Sequence, residues 1–281
     1  MTRRILTLAR QVLVAAVVCI FITTIVIMSF EEKFIFFPSK YPEGHYEDAR
    51  YIPNLQECWI RTEDGVQLHA WFASVDTPIA TLVISHGNAG NIANRNELMR
   101  RLLRTGFNIL MYDYRGYGKS EGLPDEQGVY KDGRAAFDYV LTLQVVDPKR
   151  IVLWGTSLGG AVAIDVATQR PAAALILEST FSSAKDMARA LYPFLPTRFF
   201  LRSQFNSIDK IRNITIPVLS MHGSRDAIVP LALGKRLFNA ANEPKQYYEI
   251  VGADHNDTYI VGGSEYLEQA RAFVIRHTSS R

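Results

Sequence analysis

The amino-acid sequence predicts an α/β fold: a mostly parallel central sheet with helices on both faces, preceded by one transmembrane helix. An uncharged apolar run occupies residues 11–30, and beyond it short apolar segments alternate with amphipathic segments of helical length. No Pro-, Gly- or Ser-rich linker divides this second part. Of the 281 residues 48% are apolar and 21% charged, with a formal net charge of +3. This composition excludes disorder, and no nucleic-acid partner is expected.

Residues 11–30 form the predicted membrane anchor. They include no charged residue, and a helix of this length spans about 30 Å, the thickness of a bilayer's hydrocarbon layer. The alternative is a cleaved signal peptide. Such peptides have shorter apolar cores followed by small residues, whereas this run ends in Met28-Ser29-Phe30. We therefore predict an uncleaved, single-pass signal-anchor over residues 1–30, with membrane lipid as its partner.

The charges beside this run predict its orientation. Three arginines precede it, at positions 3, 4 and 10, and Glu31, Glu32 and Lys33 follow it. The positive-inside rule then leaves the N-terminus in the cytoplasm and the rest of the chain on the extracytoplasmic side. Residues 31–55 are predicted to connect the anchor to the folded domain. Their aromatic stretch 34–41 either rests on the lipid headgroups or covers the domain's own surface, and both interpretations stay open.

Eight strands are predicted in the folded domain, residues 56–281. Segments 58–62 and 66–74 pair antiparallel through the turn Glu63-Asp64-Gly65. Six further segments are almost uniformly apolar, as in parallel strands buried on both faces: 80–85, 107–112, 151–154, 174–177, 217–221 and 246–251. Helices are predicted over 92–105, 126–143, 158–169, 230–241 and 264–277. Right-handed crossovers place such helices on both faces of one sheet.

One interval is longer than a crossover helix requires. Nearly forty residues separate Leu177 from Pro217. They include a dense apolar set: Met187, Leu191, Tyr192, Phe194, Leu195, Phe199, Phe200 and Leu201. Long insertions in compact domains are often lids or binding elements, so we predict a short cap at about 182–214. An ordinary pair of helices packed on the sheet edge is the alternative.

The segment Gly155-Thr156-Ser157-Leu158-Gly159 fits the pattern G-x-S-x-G. It follows a predicted strand directly and precedes a predicted helix, which is the setting of a nucleophile elbow. The glycines allow a sharp turn that exposes the serine hydroxyl. The alternative is a serine that only caps the helix. We predict that Ser157 is a catalytic nucleophile.

A serine nucleophile needs a base and an acid that orients the base. His255 follows the last predicted strand, and Asp226 follows the strand before it, in the chain order Ser…Asp…His. Because loops at the carboxyl ends of parallel strands share one edge, these residues should meet near Ser157. We predict Asp226 as the acid and His255 as the base. Glu178, at the end of an earlier strand, is the alternative acid.

The developing oxyanion needs donors as well. We predict the backbone N–H groups of Leu158, just after the nucleophile, and of Asn88, in the loop after the strand 80–85. No cofactor or metal is expected. The chain has no clustered His/Cys spacing typical of a metal site, and the Gly118-Lys119-Ser120 segment lacks the earlier glycine of a P-loop.

These motifs together resemble the α/β-hydrolase superfamily, in particular its membrane-anchored branch with one N-terminal span. The segments that carry the resemblance are SHGNAGN (85–91), YDYRGYGKSEG (112–122), GTSLGG (155–160), HGSRDAIVP (222–230) and GADHND (252–257). That branch includes protein depalmitoylases and uncharacterised bacterial members. The resemblance implies an α/β-hydrolase fold and assigns Asn88, Ser157, Asp226 and His255 to the oxyanion loop, nucleophile, acid and base.

The predicted activity is that of a serine hydrolase of the esterase, lipase or thioesterase kind. It would cleave a carboxylic ester or thioester of an apolar acyl group, so its partner is a small or lipid-like acyl substrate. The apolar interval 187–201 and the nearness of lipid motivate the acyl preference. Two alternatives remain: a peptidase or amidase using the same triad, and a membrane-tethered scaffold without catalysis.

Overall fold

The structure, a computed structural model, describes residues 2–29, 31–193 and 201–278. The predicted anchor lies in helix α1 (Thr2–Ser29). Its stretch Arg4–Thr23 has a mean hydropathy of 2.4, and none of it is buried against the rest of the described chain. The helix is long and apolar enough to cross a membrane, and a signal sequence near the N-terminus would satisfy the same criterion.

The described residues contain ten strands. In chain order they are β1 (Phe37–Pro38), β2 (Leu55–Arg61), β3 (Gln67–Ala73), β4 (Ala80–Ser85), β5 (Ala89–Gly90), β6 (Phe107–Tyr112), β7 (Ile151–Thr156), β8 (Ala174–Glu178), β9 (Val218–Gly223) and β10 (Lys245–Ile250). Eight of these form one sheet in the order β10-β9-β8-β7-β4-β6-β3-β2. Strand β3 is antiparallel to both β2 and β6, and the other pairs are parallel. The predicted α/β-hydrolase sheet is confirmed.

Helices cover both faces of this sheet. Beyond α1, those described are α2 (Glu31–Ile35), α3 (Asn96–Arg104), α4 (Glu126–Val140), α5 (Leu158–Ala167), α6 (Ala184–Leu191), α7 (Ser207–Ile211), α8 (Leu231–Ala240), α9 (Thr258–Val261) and α10 (Gly263–Thr278). Helices α4, α5, α7 and α8 pack into one apolar core. Helices α3 and α10 pack into the other. Each face of the sheet is thereby buried, which explains why the parallel strands are apolar on both sides.

The six predicted parallel strands each begin and end within two residues of the observed ones. Strand β4 illustrates the reason. All of its residues are buried, so the apolar run in the sequence has the same bounds as the strand. Strand β2 starts three residues before its predicted start at Cys58, because its first residues are half-buried or exposed. The apolar signal is weak there, and the pairing with β3 sets the boundary instead.

The predicted cap is described only in part. Helix α6 and the segment from Leu201 onward are described, whereas Phe194, Leu195, Phe199 and Phe200 of the predicted apolar set lie outside the described residues. Helix α6 has no buried residue. Its residues nevertheless line a cavity beside the serine turn, as shown below.

The juxtamembrane segment divides between the domain and its surface. Phe36 is buried at 3% exposure and packs edge-on against Phe205, with 6.2 Å between ring centroids. Phe34, Phe37 and Tyr41 are each more than half exposed. Phe36 therefore packs on the domain, whereas contact of the exposed side chains with lipid headgroups stays a prediction. Strand β1 also pairs with β5, which joins the segment to the loop after β4.

Candidate active site

Ser157 lies on the turn between β7 and α5. Its backbone has φ +55° and ψ −118°, a conformation that costs an L-residue about 1–3 kcal/mol. Glycines make the turn possible: a Cβ on Gly155 would overlap the carbonyl of Gly159, and a Cβ on Gly159 would overlap that of Ser85. The Ser157 N–H donates to the carbonyl oxygen of Glu178 at 2.8 Å. These contacts hold Ser157 at the carboxyl end of the sheet.

Asp226 and His255 form a hydrogen-bonded pair. Asp226 follows β9 and His255 lies between β10 and α9, so both are at the same edge of the sheet as Ser157. The Nδ1 atom of His255 is 2.8 Å from Oδ2 of Asp226. The other carboxylate oxygen of Asp226 accepts the N–H groups of Ile228 at 3.0 Å and Val229 at 2.7 Å. The carboxylate is therefore held in position from both sides.

A second imidazole also faces this carboxylate. The Nε2 atom of His222 is 3.3 Å from Oδ2 of Asp226 and 3.0 Å from the carbonyl oxygen of Val229. Burial would raise the pKa of Asp226, but hydrogen bonds from His222 and His255 outweigh it and hold that pKa well below its ordinary value. Asp226 is thus ionised at neutral pH and suited to stabilise a protonated His255.

Ser157 and His255 line a common cavity of about 490 Å³, which we call the polar cavity. Besides Ser157 and His255, it is lined by several polar side chains, namely those of Asn94, Arg95, Glu178 and Asn256. Its other boundary is the loop after β4, residues His86 to Gly90. The predicted nucleophile, the predicted base and the predicted oxyanion loop therefore surround one space.

The oxyanion loop approaches the serine closely. A Cβ on Gly87 would be 3.7 Å from the Cβ of Ser157, an ordinary contact distance. Leu158 begins helix α5, whose N-terminus favours negative charge. Within the described part of the chain, the N–H groups of Leu158 and Asn88 donate no hydrogen bond to another residue. Both donors are accordingly free to bind an oxygen atom.

Three hydrogen bonds fix the orientation of Asn88. Its carbonyl oxygen accepts the N–H of Phe37 at 3.1 Å and the hydroxyl of Tyr117 at 2.7 Å. Its side-chain amide donates to the carbonyl oxygen of Ile35 at 2.7 Å. Two of these partners, Phe37 and Ile35, belong to the juxtamembrane segment. The position of the loop therefore depends on the chain that leads out of the anchor.

Glu178, the alternative acid, is engaged elsewhere. Its buried carboxylate accepts hydrogen bonds from four side chains: Trp154 (3.1 Å), Thr156 (3.0 Å), Tyr266 (3.0 Å) and Thr258. Among the described residues it makes no hydrogen bond to His255. Glu178 ties the end of β7 to α9 and α10, so its contribution is to the shape of the cavity wall.

A second cavity, of about 530 Å³, also borders Ser157, and we call it the acyl cavity. It shares Asn88, Ser157 and Ile228 with the polar cavity. Its walls are mostly apolar, and the larger part of them comes from two places. The juxtamembrane segment supplies Phe34, Ile35 and Phe37 together with Glu31, and the cap region with the residue before it supplies Phe181, Ala184, Met187, Ala188, Leu191, Tyr192, Leu201 and Phe205.

Three side chains at this site had no usable signal in the sequence. His222 follows a predicted strand and precedes a glycine, and this position gives no reason to assign it a role. Arg95 falls in a predicted amphipathic helix with three more arginines, which gives no reason to single it out. Glu31 reads as a flanking charge of the anchor. Only the folded chain brings these three side chains to the site.

Among the residues that the structure describes, no group of His, Cys, Asp or Glu could hold a metal ion.

The sheet order and the serine turn define the class of this protein as an α/β-hydrolase. A sequence profile of the family described as "Serine aminopeptidase, S33" matches residues 76–211. The protein Rv2307c of Mycobacterium tuberculosis is 39% identical over 251 residues, 88% of each chain. The α/β hydrolase domain-containing protein WAV2 of Arabidopsis thaliana is 35% identical over 282 residues, 91% of each chain. The chain belongs to the α/β-hydrolase family.

A solved structure supports the same fold. The esterase PF2001 of Pyrococcus furiosus superposes with a TM-score of 0.71 and 21% sequence identity, over 87% of this chain and 98% of that chain. At this identity the likeness concerns the fold alone. The sequence relatives, and not this structure, make the protein a hydrolase by family.

Proposed function

We propose that this protein is a membrane-anchored serine hydrolase that cleaves a carboxylic ester or thioester of an apolar acyl group. The observation that carries the proposal is the acyl cavity, which opens directly beside Ser157 and is walled by apolar side chains. Burying an acyl chain there contributes about 0.8 kcal/mol for each CH₂ group. A long acyl chain would therefore be bound with its carbonyl carbon near the serine.

The reaction follows from the contacts at the site. Ser157 Oγ attacks the carbonyl carbon while His255 takes the hydroxyl proton, and Asp226 accepts the His255 Nδ1–H and stabilises the imidazolium. The N–H groups of Leu158 and Asn88 bind the oxyanion, where one donor typically contributes about 3–4 kcal/mol. The leaving group takes the proton from His255 and departs. His255 then takes a proton from a water molecule that attacks the acyl-enzyme. It returns this proton to Ser157 Oγ as the carboxylic acid leaves.

The membrane attachment is part of this proposal. Helix α1 acts as an uncleaved anchor, and the arginines in its N-terminal part, before the apolar run 11–30, support a cytoplasmic N-terminus and an extracytoplasmic hydrolase domain. The residues that follow the anchor, Phe34, Ile35 and Phe37, are also a wall of the acyl cavity. Acyl chains held in the membrane would thus meet the cavity close to the bilayer surface.

The family description names aminopeptidases, so the experiment must separate esters from amides. The full-length protein in neutral detergent micelles is given p-nitrophenyl esters of two to twelve acyl carbons and aminoacyl p-nitroanilides. We expect ester hydrolysis whose kcat/KM rises with acyl length, and no activity in Ser157→Ala. Faster turnover of the anilides would make the protein a peptidase. No turnover of either substrate by folded protein would favour a scaffold.

A further inference from the structure

Arg95 is a cation on the wall of the polar cavity. It ends the 3₁₀ turn Ile92–Arg95 that leads into α3, and its side chain is half-buried beside the oxyanion loop. One guanidinium nitrogen, Nη2, donates to the carbonyl oxygen of Ala89 at 2.7 Å. Within the described residues the guanidinium makes no other hydrogen bond, and no carboxylate lies within 4.0 Å of it. Most of its donors are thus unused.

Other arginines in this protein show what a paired one looks like. Arg115 binds the carboxylates of Asp64 and Asp132 at 2.8–3.0 Å. Arg134 binds Asp165 at 2.7 Å. A half-buried guanidinium is costly without such a partner. Arg95 differs from these arginines because most of its N–H donors have no partner and it lines an open cavity. Such donors can bind an anionic group.

Arg95 has no ion-pair partner among the described residues. Burial lowers the pKa of its guanidinium below the usual value, and the more distant carboxylates of Asp113 and Glu178 offset this only in part. An arginine remains a cation over the whole range in which proteins function. An anionic group entering the polar cavity would therefore meet a fixed positive charge in a partly dehydrated space.

We propose that Arg95 is a specificity-determining residue that binds an anionic oxygen group, a phosphate or a carboxylate, on the leaving-group half of the substrate. This inference rests on the proposed ester or thioester hydrolysis at Ser157. The acyl half is assigned to the acyl cavity because that cavity is apolar. The alcohol or thiol half then occupies the polar cavity, which also borders Ser157 and is lined by Arg95.

The test uses octanoyl esters that differ only in the charge of the alcohol. The four alcohols carry a phosphate, a carboxylate, a neutral amide or a trimethylammonium group at the same distance from the ester. Released octanoate is measured with the full-length protein in neutral detergent micelles. We expect kcat/KM for at least one anionic ester to exceed that for the neutral ester about tenfold or more, as charge-assisted hydrogen bonds typically allow. The better anion identifies a headgroup-like or a carboxylate-bearing substrate.

Variants assign the preference to one side chain. In Arg95→Gln the ratio of kcat/KM for the anionic ester to that for the neutral ester should fall to about one. In Arg95→Lys the ratio should take an intermediate value, because lysine keeps the charge but lacks the planar guanidinium with its several N–H donors. Arg104→Gln removes an exposed charge at the end of α3 and should retain the wild-type ratio. Thermal unfolding of each variant shows whether it is folded.

The remaining outcomes separate the two proposals. Equal rates for anionic and neutral esters in the wild-type protein would overturn the role of Arg95 and leave ester hydrolysis standing, whatever the stability of the variants. A preference for the trimethylammonium ester would overturn it too. An unchanged ratio in folded Arg95→Gln would assign the preference to another residue. Absence of hydrolysis with all four esters would remove the proposed function itself, and the inference with it.

Discussion

At Ser157 the backbone holds a positive φ that only close packing of its neighbours can maintain. The residues that make this possible were readable from the sequence, because G-x-S-x-G between a strand and a helix is a local pattern. Asp226 and His255 were readable from their places after successive strands. His222 and Arg95 were not, because their contacts depend on distances between elements that no local pattern encodes. The catalytic roles themselves stay predictions.

The glycine beyond the serine provides the first prediction. A methyl group on Gly159 would overlap the backbone carbonyl of Ser85, whereas one on Gly87 would make only an ordinary contact. We expect Gly159→Ala to lose about 3 kcal/mol or more of unfolding free energy, and Gly87→Ala to lose less than about 1 kcal/mol. Thermal unfolding measures both. Equal stability of the two variants would mean that the elbow is not packed as described.

Asp226 supports a prediction on rate. In Asp226→Asn the amide no longer carries the charge that orients and stabilises a protonated His255. We expect kcat for a p-nitrophenyl ester to fall roughly 10³- to 10⁴-fold with little change in KM. A similar substitution at Asp254, whose carboxylate accepts backbone N–H groups of Ala227 and His255, should have a far smaller effect. A small effect at Asp226 would remove it from the triad.

The same carboxylate also gives stability a pH dependence. Because the folded pKa of Asp226 lies below the unfolded value of about 3.9, its ionised form stabilises the fold above that pH. This contribution is lost as the pH falls below about 4 toward the folded pKa. The difference in unfolding free energy between wild type and Asp226→Asn should accordingly be larger at pH 7 than at pH 3.

At the scale of elements, the juxtamembrane helix α2 and the cap region are joined by one buried carboxylate. Glu31, 2% exposed, accepts the N–H of Arg202 at 3.0 Å and of Ser203 at 2.7 Å. Phe36 and Phe205 pack together nearby. The sequence located these segments, but it could not predict that they meet, because a flanking glutamate and a distant loop share no pattern. Together they form the acyl cavity.

Removing this carboxylate should loosen the cavity wall. In Glu31→Ala the N–H groups of Arg202 and Ser203 lose their acceptor, and leaving the buried one, that of Ser203, unsatisfied costs about 1–3 kcal/mol. We expect kcat/KM for dodecanoyl esters to fall relative to that for acetyl esters, together with a lower unfolding temperature. Glu32→Ala, which removes a half-buried neighbour on the same helix, is the matched control. If both variants kept the wild-type chain-length profile, α2 would not shape the acyl site.

The whole molecule combines a hydrolase domain with a helix long enough to cross a membrane. The mostly parallel sheet was predictable because parallel strands buried on both faces are apolar throughout, and right-handed connections place helices on both of its faces. The two cavities were not, since each is enclosed by residues from distant parts of the chain. Arg95 in one of the cavities that border Ser157 and the apolar walls of the other give the site two chemically different halves.

Orientation in the membrane is tested with one exposed position. After Cys19→Ala and Cys58→Ala, a cysteine is introduced by Leu123→Cys, where the native side chain is 82% exposed. A membrane-impermeant maleimide should label it in intact spheroplasts, because the arginines in the N-terminal part of α1 favour a cytoplasmic N-terminus. Labelling only after lysis would place the hydrolase domain in the cytoplasm and contradict the proposed orientation.

The central claim is that Ser157 is an activated nucleophile. A fluorophosphonate reacts covalently with such a serine, and digestion followed by mass spectrometry identifies the modified peptide. We predict one adduct, on Ser157, which is absent in Ser157→Ala and strongly reduced in His255→Ala. Folded wild-type protein that remains unmodified, or that carries its adduct at another residue, would contradict the account.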